Sequence, residues 1–163
     1  MDHRDHPASH RSGRPPARLT APARFEWTRQ PGTGPPASIL GLLNGATVIE
    51  LGCGSGHNLA CLAARYGAVG VGVDHDPAKI RRARSGYGHL TGLRFAFADA
   101  HRYLTAARPG SADLILSIFG AFSFTDPLPL LTETARVLRP GGLLAMTLRA
   151  DDRHDTVMVL RRR

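Results

Sequence analysis

A chain of 163 residues is long enough for one hydrophobic core and too short for two ordinary domains. Two cysteines without metal-ligand spacing exclude a disulfide scaffold or a zinc module and fit a reducing cytoplasm, and neither a signal segment nor an apolar run of the roughly 20 residues that span a bilayer is present. The net charge of +8 rests almost wholly on arginine, since Lys79 is the only lysine, and such lopsidedness fits genome-wide base composition at least as well as a phosphate-binding face, so nucleic acid is not the expected partner.

Residues 1–24 are rich in Pro, His, Arg and Ser with little to bury, and read as a disordered basic tail in which His3, His6 and His10 form no fixed ligand set. Order is expected from Phe25-Glu26-Trp27. A loop, Pro31-Gly32-Thr33-Gly34-Pro35-Pro36, then leads to a short amphipathic helix over 37–43.

Val48-Ile49-Glu50-Leu51 reads as a buried strand running into Gly52-Cys53-Gly54-Ser55-Gly56, with a helix opening at His57-Asn58. Small residues let the backbone take positive φ and approach a ligand closely, and a helix start offers free N–H groups. Strand, glycine turn and helix together make a nucleotide-type pocket at the carboxyl end of a parallel sheet. The dinucleotide fingerprint fails, because the third glycine position counted from Gly52 is His57. Cys53 has no activating base beside it and reads as a small side chain tolerated in the turn.

A second strand over 68–73 ends at Asp74, about 20 residues past the turn, the interval at which an acceptor-only carboxylate takes both ribose hydroxyls. Asp76-Pro77 starts a helix by cap and proline. The third strand, 93–98, is followed by Asp99-Ala100 and a helix over 100–107 that Asp99 is placed to cap. A near-continuous apolar run over 113–118 reads as a strand covered on both faces. Asp126-Pro127 opens the next helix, with Leu130, Leu131, Thr134, Val137 and Leu138 at helical spacing and a stop at Pro140-Gly141-Gly142. A fifth strand covers 143–148. The alternation predicts an α/β fold, a doubly wound, mostly parallel sheet of five strands with helices on both faces.

The pattern E-x-G-x-G-x-G at Glu50 to Gly56, with Asp74, Asp99 and Arg136-Val137-Leu138-Arg139-Pro140-Gly141-Gly142 in order, resembles the class I S-adenosylmethionine-dependent methyltransferases over residues 25–148. The resemblance implies S-adenosylmethionine as cofactor and a methyltransferase domain over 25–163. In that family the acid after the third strand holds the adenine amino group and the next N–H a ring nitrogen, positions taken by Asp99 and Ala100. Glu50, Gly52, Cys53, Gly54 and Asn58 of the first motif, Asp74 and His75 after the second strand, and Ser117 in the fourth complete the implied cofactor contacts. The family's N-terminal segment often forms a lid, so Trp27 belongs either to a lid or to the core.

Methyl transfer from a sulfonium is an in-line displacement that needs alignment and water exclusion more than acid–base chemistry, and no catalytic residue is assigned. The stretch Ser117 to Phe124 carries neither the Asn/Asp-Pro-Pro-Tyr/Phe signature of amino-methylating DNA enzymes nor the Pro-Cys of cytosine-C5 enzymes. Its Phe119, Phe122 and Phe124 either wall an apolar pocket or plug the space under a loop. His57, His75 and His101 fall near the cofactor edge without a claim to be a base. The family usually continues past the fifth strand with a helix and a hairpin. Here 151–155 reads as a turn and 156–160 as a short strand expected to pair antiparallel with the fifth. The expected activity is methyl transfer to a small-molecule acceptor, and the alternative is a shortened homologue that binds the cofactor without transfer.

Overall fold

Residues 18–149 and 154–163 are described by the computed structural model. In chain order they form β1 (Thr47–Leu51), α1 (His57–Tyr66), β2 (Val69–Asp74), α2 (Pro77–Tyr87), β3 (Leu93–Phe97), α3 (Ala100–Ala106), β4 (Ala112–Ile118), α4 (Pro127–Val137), β5 (Leu138–Arg149) and β6 (Asp155–Arg161). The sheet order is β3-β2-β1-β4-β5-β6, parallel throughout except for β6 against β5. The chain therefore winds outward from β1 in one direction and returns to its other side at β4, which leaves a crevice at their carboxyl ends. None of the helices among the described residues is long and apolar enough to cross a membrane.

Strand alternation divides the interior in two. Val48, Leu114, Leu116 and Ala145 face α1 and α2 through Leu59, Leu62, Ile80 and Tyr87. Ile49, Leu51, Ile115 and Leu144 face α3 and α4 through Leu104, Leu130 and Val137. Trp27 lies in the first of these cores, almost fully buried and edge-on to Phe25 with ring centroids 4.7 Å apart, which decides for packing. Asp76, Asp99 and Asp126 each cap the following helix through a backbone N–H, as expected from their positions. Arg136 ties α4 to the end of α3, donating to the carbonyls of Leu104 at 2.6 Å and Ala107 at 2.8 Å.

Three expectations need correction. The helix expected over 37–43 is a 3-10 turn, Ala37–Leu40, because Gly41 at φ +86° turns the chain out of helix and leaves Leu42 99% exposed. Pro140-Gly141-Gly142 does not separate helix from strand, since β5 already begins at Leu138. There Gly141 donates to the Arg162 carbonyl and Arg162 donates back to Gly142, both at 2.9 Å, so two residues face one in a glycine bulge. Finally, the tail is placed earlier than Phe25: Leu19 donates to the Gly86 carbonyl at 3.0 Å and packs its side chain on that glycine. The stretch expected at 156–160 lies in β6, whose seven residues pair without interruption from Arg149–Asp155 to Leu143–Arg161. The histidines of the tail, and most of the turn expected over 151–155, lie outside the described residues.

Candidate functional site

The crevice between β1 and β4 is floored by the glycine turn. Gly52 and Cys53 both donate to the Val73 carbonyl, at 2.7 and 3.0 Å, which locks the turn to the end of β2. Gly52 has φ +77°, and a Cβ there would stand 2.5 Å from Gly120 Cα and 2.8 Å from the Ala121 nitrogen. Gly120 in turn would drive a Cβ to 2.0 Å from the Leu51 carbonyl oxygen. Two bare backbones thus cross at the mouth of the crevice. We expect Gly120→Ala to lower the melting temperature by several degrees and to weaken cofactor binding, because backbone cannot retreat as a flexible side chain does; a melting curve unchanged from wild type would contradict this contact. A Cβ on Gly54 would meet nothing, so the turn leaves open space where a ligand would lie.

Asp74 is 4% exposed and serves as the junction of the floor. One carboxylate oxygen accepts the Gly54 N–H at 2.8 Å, and the other accepts the Asp76 N–H at 2.8 Å. Each oxygen retains a further acceptor site, and Asp74 lines a narrow slot together with Gly52, His75, Lys79, Asp99, Ala100 and Phe119. Asp99 spends one oxygen on the Arg102 N–H at 2.9 Å. Ala100 is the first residue of α3, where N–H groups have no intrahelical acceptor. His75 sits at the rim, its Nδ1 3.8 Å from an Asp74 oxygen and its ring largely exposed.

Glu50 projects from β1 into a second, larger cavity of about 660 Å³, which Gly52, Cys53, Gly54, Asn58 and Phe119 also line. Burial pushes its carboxyl up to about 8; a hydrogen bond from the Leu59 N–H opposes the rise, and the nearby Asp74 charge adds to it. Its Oε2 is buried with no hydrogen-bond partner among the described residues. A buried, unpartnered carboxyl oxygen beside an open glycine turn fits a cationic nitrogen.

Other residues singled out from the sequence divide between the cavity walls and the interior. Ser117 is fully buried and lines neither cavity, because its Oγ turns beneath the β4–α4 connection to accept the Phe122 N–H at 3.4 Å. Asn58 reaches the larger cavity, but both ends of its amide are occupied by Glu26: Oδ1 accepts the backbone N–H and Nδ2 donates to the carbonyl, each at 2.9 Å. The thiol of Cys53 is buried and raised far above its ordinary value by burial first, then by Glu50 and Asp74, which leaves it inert. His57 lines the larger cavity and packs edge-on to Tyr87 at 5.6 Å, whereas His101 lines neither cavity. The phenylalanines divide: Phe122 is a buried plug, whereas Phe119 and the 79% exposed Phe124 wall the slot. Phe119 is also the only non-glycine with positive φ, +48°, among the described residues.

Arg24, Glu26, Thr28, Arg29 and Lys79 also line the larger cavity, and for all but Lys79 no sequence signal singles them out for it beforehand. Asn58 pins the N-terminal segment to α1, and Arg29 pins it to β6, donating from its backbone and from Nε to the two Asp155 carboxylate oxygens at 3.0 Å. These bonds join residues 32 and 126 positions apart, beyond any local signal. Lys79 does carry one: it stands three residues after the Asp76 cap, on the turn of α2 nearest the strand ends.

A glycine turn between β1 and α1, with acids at the ends of β1, β2 and just after β3, defines a Rossmann-like cofactor site of the class I S-adenosylmethionine-dependent methyltransferase type. Residues 49–146 match the family model described as a methyltransferase domain, and the chain belongs to that family. It is 32% identical over 133 residues to a trans-aconitate 2-methyltransferase of Delftia acidovorans, covering 79% of this chain and 48% of that protein. It is 38% identical over 104 residues to the enzyme of the same name from Azoarcus sp., covering 63% and 39%. Among solved structures, it is similar to an S-adenosylmethionine-dependent methyltransferase of Thiobacillus denitrificans in complex with S-adenosyl-L-homocysteine. There the TM-score is 0.57 at 27% identity, over 68% of this chain and 44% of that one. The chain thus spans less than half the length of the curated relatives it matches.

Proposed function

We propose that this site binds S-adenosylmethionine and transfers its methyl group to a small molecule bearing a carboxylate. The observation that carries the reading is the pairing of the unpartnered Glu50 oxygen with the open position at Gly54, side by side in one cavity. Glu50 would hold the α-ammonium, Asp74 the ribose hydroxyls, and Asp99 with the Ala100 N–H the adenine edge, while Phe119 covers the junction of slot and cavity. The bound cofactor supplies a methyl group on a sulfonium, already activated for displacement.

The remaining volume of the cavity is where the acceptor would lie. Lys79 and Arg24 line it, and neither forms an ion pair among the described residues, whereas Glu26 spends one oxygen on the Gly32 N–H at 2.7 Å. Two available cations favour an anionic acceptor, and the kinship with trans-aconitate methyltransferases points the same way. A carboxylate nucleophile carries no proton, so its methylation requires alignment and a dry cavity but no general base. The N-terminal segment, held by Asn58 and Asp155, provides that cover.

The test is calorimetric binding of S-adenosylhomocysteine followed by transfer of labelled methyl to small di- and tricarboxylic acids, read as base-labile ester. Micromolar binding with ester formation is expected. Binding without transfer to any acid would favour the cofactor-binding reading instead. Absence of binding would sink both.

A further inference from the structure

The two edges of the sheet are unlike. At one side β3 is five residues long and carries Arg94 in the strand, a charge of the kind that blunts an edge. At the other, β6 is seven residues long, pairs with β5 in unbroken register and runs Thr156-Val157-Met158-Val159-Leu160 without charge, proline or bulge. No strand among the described residues pairs with its outer side. Val157, Met158 and Val159 are only half-buried, and Leu160 is 48% exposed. A long, regular, apolar edge of this kind is a template for another strand.

The backbone fixes which groups face outward. Arg162 turns its N–H and carbonyl toward Gly142 and Gly141 of β5. Alternation along an antiparallel strand then directs those of Asp155, Val157, Val159 and Arg161 away from the sheet. A two-fold axis through Met158 would bring these outward residues opposite one another, Val157 against the partner's Val159 and Asp155 against the partner's Arg161. Charge selects this arrangement. Before the apolar run the sequence carries Asp151, Asp152 and Asp155 against the single Arg153, with Asp155 already paired to Arg29, and after it come Arg161, Arg162 and Arg163. Antiparallel pairing sets acidic entry beside basic exit, whereas parallel pairing would set three arginines against three.

We propose that β6 is the interface of a homodimer, in which two copies pair antiparallel through this edge and join their sheets into one continuous sheet of twelve strands, twice the six of one copy. The inference is independent of the methyl-transfer reading.

Sedimentation velocity of the whole chain from micromolar to submillimolar concentration tests it. A dimer is expected in wild type, weakening as salt rises. Val159→Pro removes an N–H that faces outward, a place where an edge strand tolerates proline, so it should give a monomer with unchanged circular dichroism. A wild-type monomer throughout the range overturns the proposal, as does a folded Val159→Pro chain that remains dimeric. Should that variant unfold, the charge reversal Arg161→Glu with Arg163→Glu decides instead: a weakened dimer supports the β6 pairing, and an unchanged one overturns it.

Discussion

At neutral pH, binding of S-adenosylhomocysteine to this protein is expected to release close to one proton, and Glu50→Gln to abolish that release. The Glu50 carboxyl is held at about 8 by burial, so at pH 7 it is mostly protonated before ligand arrives. An ammonium group docked on its unpartnered oxygen favours the ionised form. Binding therefore requires loss of the proton below pH 8, and affinity should rise about tenfold from pH 6 to 7 and about fivefold from pH 7 to 8. Calorimetry in buffers of different ionisation enthalpy reads the proton directly. Replacement by glutamine removes a charge-assisted hydrogen bond worth about 1.5–3 kcal/mol, or roughly ten- to hundredfold in affinity at pH 8. Stability of the free protein moves in the opposite sense. A carboxyl raised on folding leaves stability intact below its unfolded value near 4.5 and lowers it as pH climbs from there to about 8. Unliganded Glu50→Gln should thus melt above wild type at pH 8–9, with the gap closing toward pH 5. Proton release unchanged in the variant would remove Glu50 from the binding site.

Asp74→Ala should cost more than any other single change in the slot. The carboxylate satisfies the N–H groups of Gly54 and Asp76 at once, and loss of both acceptors leaves two donors unpaired at about 1–3 kcal/mol each. The glycine turn then loses its tether to α2, and the ribose the acceptor proposed for it, so affinity for S-adenosylhomocysteine should fall by at least about a hundredfold. Asp74→Asn is informative because it keeps the shape. Its single carbonyl oxygen can serve one N–H, while its NH2 faces the other donor, so it too should bind weakly and melt early. Wild-type affinity in both variants would show that the ribose is held elsewhere.

The parts of the fold legible in the sequence are those written locally. Asp76-Pro77 and Asp126-Pro127 start helices because cap and fixed φ act within one turn, and the run at 156–160 forms a strand against β5 because apolar β-branched residues follow a stretch rich in acids. The bulge at Gly141 and Gly142 escaped, since it exists only because Arg162 pairs across from it. The family resemblance implies Ser117 as a cofactor contact, yet which side of the connection its hydroxyl serves depends on the Gly120–Phe122 turn folding over it. The acids at 50, 74 and 99 cluster by the logic of strand ends. The cavity's outer wall does not, because it is assembled by Asn58 and Asp155 gripping a segment remote from both.

Trp27 stands between Glu26, whose backbone Asn58 holds, and Thr28, which lines the cavity. It is the chain's sole tryptophan. All indole emission from the molecule therefore originates one residue from the wall of the larger cavity, in an apolar setting shielded from water. With excitation at the red edge, where the three tyrosines do not absorb, ligand arrival or slippage of the segment from its clamps will register as a spectral change attributable to a single position, with no label attached.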